Sequence, residues 1–322
     1  MATASRPSTL QQAIVYFSDP ENAFREAVKL RWPDGEVVCP HCGSTEVYFV
    51  ESRKVWMCKH KHPKQQFSVK VGSIMEDSAI GLDKWLIAIW LISSAKNGIS
   101  SYELARAIGV TQKSAWFMLH RIRLAMQGED GGKLSGTVEI DETYIGGKAR
   151  NMHYGKRQRV LGGNKGGHNG KVAVMGLLQR HGGEDANSKV RLRIVERVRR
   201  DHLMPHIVEN VAPLTTVYTD TLPSYDKLPE SFMHQFVNHA ECYAEGQVHT
   251  NGLENFWSLL KRTIAGTYVS VEPFHLFRYL DEQAHRFNTR KLSDAARFAV
   301  TAASIFGKRL TFNELTAADA TC

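Results

Sequence analysis

Three cysteines spread over twenty positions constrain this chain more than any other feature. Cys39-Pro-His-Cys42 is followed by fifteen residues and then Cys58. Cysteines on tight turns at this spacing bring their sulfurs to about 2.3 Å from one tetrahedral ion, the pattern of a two-knuckle zinc ribbon. A fourth cysteine is expected near position 61, but "CKHKHP" offers none. His62 is the best-placed fourth ligand, with His60 second and His41 third. Four protein ligands leave no open position, so the Zn2+ is expected to be structural. A secreted disulfide scaffold would be denser in cysteine and even in number, whereas this chain has 5. Cys242 and Cys322 are expected as free thiols.

The surroundings of the cluster read as short strands. "EVYFVE" and "KVWMC" alternate like a hairpin and "QFSVKVGS" can add a third strand, giving a small β unit over 36–73. Ahead of it, residues 1–35 carry an N-terminal helix. Ser18 is placed to cap it, with Glu21 three positions on and Pro20 in the first turn. From Leu82 the pattern turns helical. "LDKWLIAIWLISSAKNG" is one helix, "SSYELARAIG" a second with Ser100 as cap, and a third starts at Thr111. A helix, the short turn "IGVT" and another helix is the helix-turn-helix shape, over 80–127. Its outer face would carry Gln112, Lys113, Ser114 and Arg121, side chains that can reach base edges in a major groove.

After the linker "GEDGGKLSG" the order is strand, strand, strand, helix, strand, helix, strand, helix. Three strands before the first helix suggest a meander extended by parallel crossovers, so the region 134–292 reads as a mixed α/β sheet. In "TVEIDET", Val138 and Ile140 take one side and Glu139 and Asp141 the other. "TTVYTD" is a second apolar strand ending on an acid, Asp220. "HTNGLENFWSLLKR" is a helix with a buried stripe of Leu253, Trp257, Leu260 and Ile264, and a polar line of Asn251, Glu254, Ser258 and Lys261. Taken singly, each acid has a plainer reading: Asp141 and Asp220 can end strands, and Glu254 can close a capping box with Asn251. Together they fit ribonuclease-H-type order, which places acids on the first strand, the fourth strand and a late helix. Such carboxylates can converge on a pair of Mg2+ (or Mn2+) ions, hard cations that prefer oxygen and hold attacking and leaving oxygens in line. Glu139 and Glu142 are rivals of Asp141, and Asn251 is a rival of Glu254. Lys261, two turns after Glu254, can grip a neighbouring phosphate with help from Arg262.

Charge points to an anionic partner. The formal net charge is +8, and residues 146–171 hold seven Lys or Arg, eight Gly and no acid. That stretch cannot build a core and is expected as a basic loop for a phosphate backbone, through Lys148, Arg150, Lys156 and Arg157. The longest apolar run, "WLIAIWLI", is too short to span a bilayer. With no basic-then-apolar order at the start, a cytoplasmic protein without membrane association is expected.

"RWPDGEVVCPHCGS", "FSVKVGSIMEDS", "LDKWL", "EIDETYIGGK", "HTNGLENFWSLLKR" and "GTYVSVEPFHLFRYLDEQAHRFNTR" together resemble the signature blocks of one family. It is the zinc-ribbon-bearing branch of the DDE transposases of prokaryotic insertion sequences, the ISXO2-like transposases. The resemblance runs from about residue 18 to 290. It implies a multidomain α/β protein: a zinc ribbon and a helix-turn-helix, then a ribonuclease-H-like catalytic domain, with 293–322 as a C-terminal tail. It also implies a nucleoid-associated enzyme that binds terminal inverted repeats in double-stranded DNA, cuts at element ends and joins 3′-ends to target DNA. By position Asp141 and Asp220 match the first two acids of the family, and Lys261 the basic residue after the third. Some branches carry Asn or His as third ligand. Glu254 is preferred over Asn251 here because a carboxylate binds Mg2+ more strongly than an amide. Bringing two ends together implies a homo-oligomer on DNA. The rival readings are a non-catalytic DNA-binding regulator derived from such an enzyme, and a hydrolytic nuclease of the same fold.

Overall fold

The computed structural model describes residues 7–128, 132–147, 153–155, 158, 170–181, 187–220, 223–225, 228–229, 231–237 and 248–317. The chain divides into two compact units, one of residues 1–127 with 292–322 and one of residues 128–291.

The first unit opens with α1 (Leu10–Phe17) and α2 (Pro20–Arg31). Asp19, not Ser18, caps α2. Asp19 is extended, and its carboxylate accepts the Glu21 N–H at 2.8 Å. Ser18 is still helical at the end of α1, and its hydroxyl donates to Val15 O. The two helices abut so closely that Ser18 terminates the first instead of starting the second. An antiparallel sheet follows, of β1 (Val47–Val50), β2 (Val55–Cys58) and β3 (Gln66–Phe67). The third strand is only two residues long, because the chain turns at once, with Val71 N–H bonded to Ser68 O. Ala27, Trp32, Trp56, Phe67 and Val69 make a small core around Cys39 and Cys58.

Helices α3 (Leu82–Ser94), α4 (Ser101–Ile108) and α5 (Gln112–Met126) come next. The Ser100 hydroxyl accepts the Glu103 N–H, Gly109 ends α4 at φ 63°, and Thr111 caps α5 by accepting the Ser114 N–H. A left-handed residue after a helix favours glycine, whose missing Cβ removes the steric penalty.

The second unit is built on β4 (Thr137–Ile145), β5 (Val172–Gln179), β6 (Lys189–Val195), α6 (Arg200–Asn210), β7 (Thr216–Asp220), β8 (Met233–Val237), α7 (Asn251–Thr263) and α8 (Leu276–Asn288). The strands lie in the order β6-β5-β4-β7-β8. Those from β6 to β4 pair antiparallel, and β7 runs parallel to both β4 and β8. One face buries Val138, Ile140 and Val217 against Leu203 and Ile207 of α6. The other buries Val174 and Leu178 against Leu253, Phe256, Trp257 and Leu260 of α7 and Leu276 and Leu280 of α8. Asn251, Glu254, Ser258 and Lys261 are exposed along the opposite side of α7. A five-residue π turn, Ile264–Tyr268, ends α7 and leaves Ile264 half-buried.

Residues expected as a C-terminal tail instead form α9 (Asp294–Ala303) and α10 (Phe312–Thr316) in the first unit. Phe298, Ala302 and Ile305 join the core made by Trp85, Ile89 and Trp90 of α3 and Leu119 and Ile122 of α5. The Ser93 hydroxyl donates to Thr301 inside it. Among the described residues no helix is long and apolar enough to cross a membrane.

Candidate active site and metal centre

The cysteine cluster closes as a four-ligand group. The ligand atoms of Cys39, Cys42, Cys58 and His62 all lie within 4.8 Å of one another. Cys39 Sγ is 3.5 Å from His62 Nε2, and Cys42 Sγ is 3.5 Å from Cys58 Sγ. His62 Nδ1 is 2.7 Å from Pro63 O, so the proton belongs on Nδ1 and the Nε2 lone pair faces the sulfurs. That second contact fixes ring and tautomer, as it does in zinc sites generally. His60 turns away toward Glu46, with 3.7 Å between Nε2 and the carboxylate. The exposed His41 has its ring centroid 5.9 Å from that of His62, tilted at 55°, and is not one of the four. Three thiolates and an imidazole are a donor set for structural Zn2+.

In the second unit Glu139, Asp141 and Asp220 lie on one face of the sheet. The parallel register pairs Val138 with Val217 and Glu139 with Tyr218. Continued by two residues, it sets Asp141 level with Asp220, their side chains on the α7 face because strand side chains alternate. Asp141 pairs across to Gly176 on β5. A Cβ at Gly176 would lie 2.6 Å from the Trp257 ring, so the bare glycine lets that indole rest on the sheet. From there Trp257 Nε1–H donates to Asp141 Oδ2 at 2.9 Å, while Oδ1 accepts the Glu142 N–H at 2.8 Å. Burial, opposed by these two hydrogen bonds and aided by the charges of Asp220 and Glu254, pushes the Asp141 carboxyl up to about 6. Asp141 thus feels both other acids. A buried carboxylate whose proton affinity is raised by burial and neighbouring charge is a donor that a hard divalent cation relieves. Among the described residues no other trio of ligand atoms is packed as closely as the cysteine cluster, so the three acids stand in a looser arrangement.

The rivals of Asp141 separate by their surroundings. Glu142 follows it on β4 and therefore faces the α6 side, where the buried Tyr225 hydroxyl donates to it. Burial first, then the charges of Asp141 and Asp220, pushes Glu142 up to about 8, so it is neutral near pH 7. Glu139 is 1% exposed and has both oxygens engaged. Oε2 accepts the Leu253 N–H at 2.9 Å and Oε1 accepts from Arg180 Nε at 2.7 Å.

Asn251 and Glu254 do not form a capping box. Asn251 is the first residue inside α7, the preceding Thr250 makes no side-chain cap bond, and the carboxylate of Glu139 takes that place. Gly252 makes this approach possible, since a Cβ there would stand 2.7 and 2.9 Å from the two Glu139 oxygens. Lys261 and Arg262 are exposed on the last turn of α7. The sequence places Trp257 only in a buried stripe, and its bond to Asp141, like the parts played by Arg180, Tyr225 and the two glycines, escapes it. The visible signal of this network was Glu139, on the same side of the strand as Asp141.

Of the side chains assigned to DNA on α5, Lys113 is exposed and its ammonium lies 4.8 Å from the Phe312 ring centroid. Gln112 is half-buried and donates to the Ser101 hydroxyl. Arg121 is not on an outer face. It is 5% exposed, and its guanidinium donates to the carbonyls of Leu310, Ile74 and Glu76. One helical turn separates solvent from core there, and the segments carrying Leu310 and Ile74 cover the position. Lys148, Arg150, Lys156 and Arg157 lie outside the described residues, as do Cys242 and Cys322.

Comparison with known proteins adds to this geometry. Residues 133–288 match the ISXO2-like transposase domain, and residues 18–61 match the transposase zinc-ribbon domain. An uncharacterized protein in transposable element ISH50 of Halobacterium salinarum is 28% identical over 267 residues, covering 77% of this chain and 84% of that protein. An uncharacterized transposase-like protein of Haemophilus influenzae is 38% identical over 105 residues, covering 32% of this chain and 85% of that protein.

Proposed function

Because the chain belongs to the ISXO2-like transposase family, we propose that it is the DNA transposase of an insertion sequence, cutting element ends and joining them to target DNA in a metal-dependent reaction. The observation that carries this reading is the placement of Asp141 and Asp220 on one face of adjacent parallel strands, with α7, which bears Glu254, packed over that face. We read the second unit as a ribonuclease-H-like catalytic domain. Its support is the strand order, with acids on the first and fourth strands and on a late helix.

Asp141, Asp220 and Glu254 would hold two Mg2+ or Mn2+ ions. When bound, these supply Lewis-acid stabilisation to the attacking and leaving oxygens of a phosphodiester. In cleavage, a water oxygen bonds to phosphorus and the bond to the 3′-oxygen breaks, freeing a 3′-hydroxyl. In joining, that hydroxyl attacks a target phosphodiester and displaces its 3′-oxygen. The rigid docking of α7 keeps Glu254 and Lys261 aimed along one line about 10 Å long, so that Lys261 can grip the next phosphate of the same strand. Arg262 assists.

We assign DNA recognition to the zinc ribbon and to α4–α5 as a helix-turn-helix, with Lys113 and Gln112 near the start of the second helix. Two ends must meet in one assembly, so several copies act together on DNA, in the cytoplasm at the nucleoid.

The test is a cleavage and strand-transfer assay with the zinc-loaded chain, duplexes of the repeats flanking its gene, and Mg2+ or Mn2+. Asp141→Asn and Asp220→Asn are expected to abolish both products while end-binding survives, and full activity in either overturns the assignment. Glu254→Gln against Asn251→Ala identifies the third ligand, which is the one whose loss stops turnover. Cutting without joining would make the protein a nuclease, and binding without metal-dependent cutting a regulator.

A further inference from the structure

We infer that Glu139 and Arg180 are the positioning pair that sets where Glu254 stands relative to Asp141. This rests on the reading of those two acids as metal ligands. Glu139 lies two residues before Asp141 on β4, on the same face. The amide it grips belongs to Leu253, immediately before Glu254. One hydrogen bond therefore joins the residue two positions before Asp141 to the residue immediately before Glu254.

The pair ties four segments together. Arg180 follows the last residue of β5, and its backbone N–H bonds to Thr137 O at 2.9 Å, fixing it to the start of β4. Its Nε donates to Glu139, and its Nη2 donates to His249 O at 2.8 Å, holding the strand of chain that leads into α7. Nη2 also meets His249 Nδ1 at 2.7 Å. The guanidinium lies 4.7 Å from the ring centroid of Tyr218, two residues before Asp220 on β7. Each acid-bearing element thus has a residue close to its acid in contact with Glu139 or Arg180.

A merely cohesive role would not need this chemistry. A buried ion pair contributes little stability beyond what an apolar pair of the same volume would give, because desolvation offsets the attraction. A charged acceptor at a helix N-terminus does what an apolar group cannot: it fixes the helix axially through an otherwise unpaired N–H. Gly252 brings the carboxylate against the backbone itself, where no flexible side chain intervenes.

The experiment compares Glu139→Gln, Arg180→Lys and Gly252→Ala with the parent chain, all zinc-loaded. Mn2+ binding is followed by electron paramagnetic resonance, and Mn2+-dependent cleavage on the flanking repeats is followed in parallel. Residues that orient metal ligands typically change metal affinity by about 10–100-fold. We expect the half-saturating Mn2+ concentration to rise by about that factor in both measurements, with turnover largely recovered at saturating Mn2+. Amide exchange at Leu253 should quicken in the metal-free protein while zinc content stays the same. Unchanged Mn2+ affinity in the variants that fold overturns the inference, provided Asp141→Asn abolishes that binding. Mn2+ binding that survives Asp141→Asn instead means that the metal-site reading itself fails. Should Glu139→Gln not fold, Gly252→Ala keeps both charges, and its Mn2+ affinity decides the matter in the same way.

Discussion

Trp257 on α7 and Asp141 on β4, 116 positions apart in sequence, are joined by an indole N–H to carboxylate bond of 2.9 Å. The bond exists because Gly176, opposite Asp141 on β5, leaves the space that the indole fills. It holds one Asp141 oxygen in place and leaves the carboxylate's remaining lone pairs for other partners.

Gly176→Ala should disturb this arrangement without touching an acid. A methyl 2.6 Å from the ring forces α7 to shift, and overpacking of this kind costs about 1–3 kcal/mol. A lowered urea midpoint with an unchanged slope is expected. Trp257→Phe removes the hydrogen bond but keeps most of the packing, so it should cost less stability while weakening metal-dependent cleavage.

Glu142 gives a pH signature. An unfolded chain releases this proton near the ordinary glutamate value of 4.5, whereas the folded chain keeps it until about 8. Between those values the native state binds the extra proton, so stability falls as pH rises through that window. Urea midpoints of the zinc-loaded protein without added Mg2+ should decline from pH 5 to pH 8. Glu142→Gln, neutral throughout, should flatten the decline; an equal slope in that variant would remove Glu142 as its source.

Zinc should be needed for folding of the ribbon but not for the chemistry of the acids. Cys58→Ser or His62→Ala should lower bound zinc and loosen the packing of Trp32 and Trp56, seen in their fluorescence. Metal binding in such small units is itself folding free energy. His60→Ala and His41→Ala should retain one zinc per chain by elemental analysis.

Arg121 and Lys113 should part company. Arg121→Met leaves three carbonyl acceptors without their charged donor, a loss of about 2–3 kcal/mol in thermal or urea unfolding. Lys113→Ala should leave stability nearly unchanged and weaken DNA binding in a salt-dependent way. Reversed results would return Arg121 to the surface.

Local patterns made much of the architecture readable. The caps at Ser100 and Thr111 follow from side chains acting on amides three residues away, and the alternation of β4 and the stripe of α7 follow from strand and helix periodicity. The spacing of Cys39, Cys42 and Cys58 narrowed the fourth ligand to three histidines, and the convergence of His62 on the three sulfurs chose among them. What stayed hidden is tertiary. Arg121 looks like any basic residue on a helix until Leu310 and Ile74 cover it. The engagement of Glu139 depends on Arg180 and Leu253, 41 and 114 positions away, and no period in the sequence joins them. Ser18 misled because two capping residues stood side by side.

The place of α9 has a consequence for how the protein is made. Ribosomes release a chain from its N-terminus, yet the core around Trp85, Ile89 and Trp90 includes Phe298, Ala302 and Ile305. The first unit therefore waits, incomplete, through the synthesis of the entire second unit. A product cut short by a nonsense codon or frameshift before residue 292 would present that apolar surface to the cell's proteases.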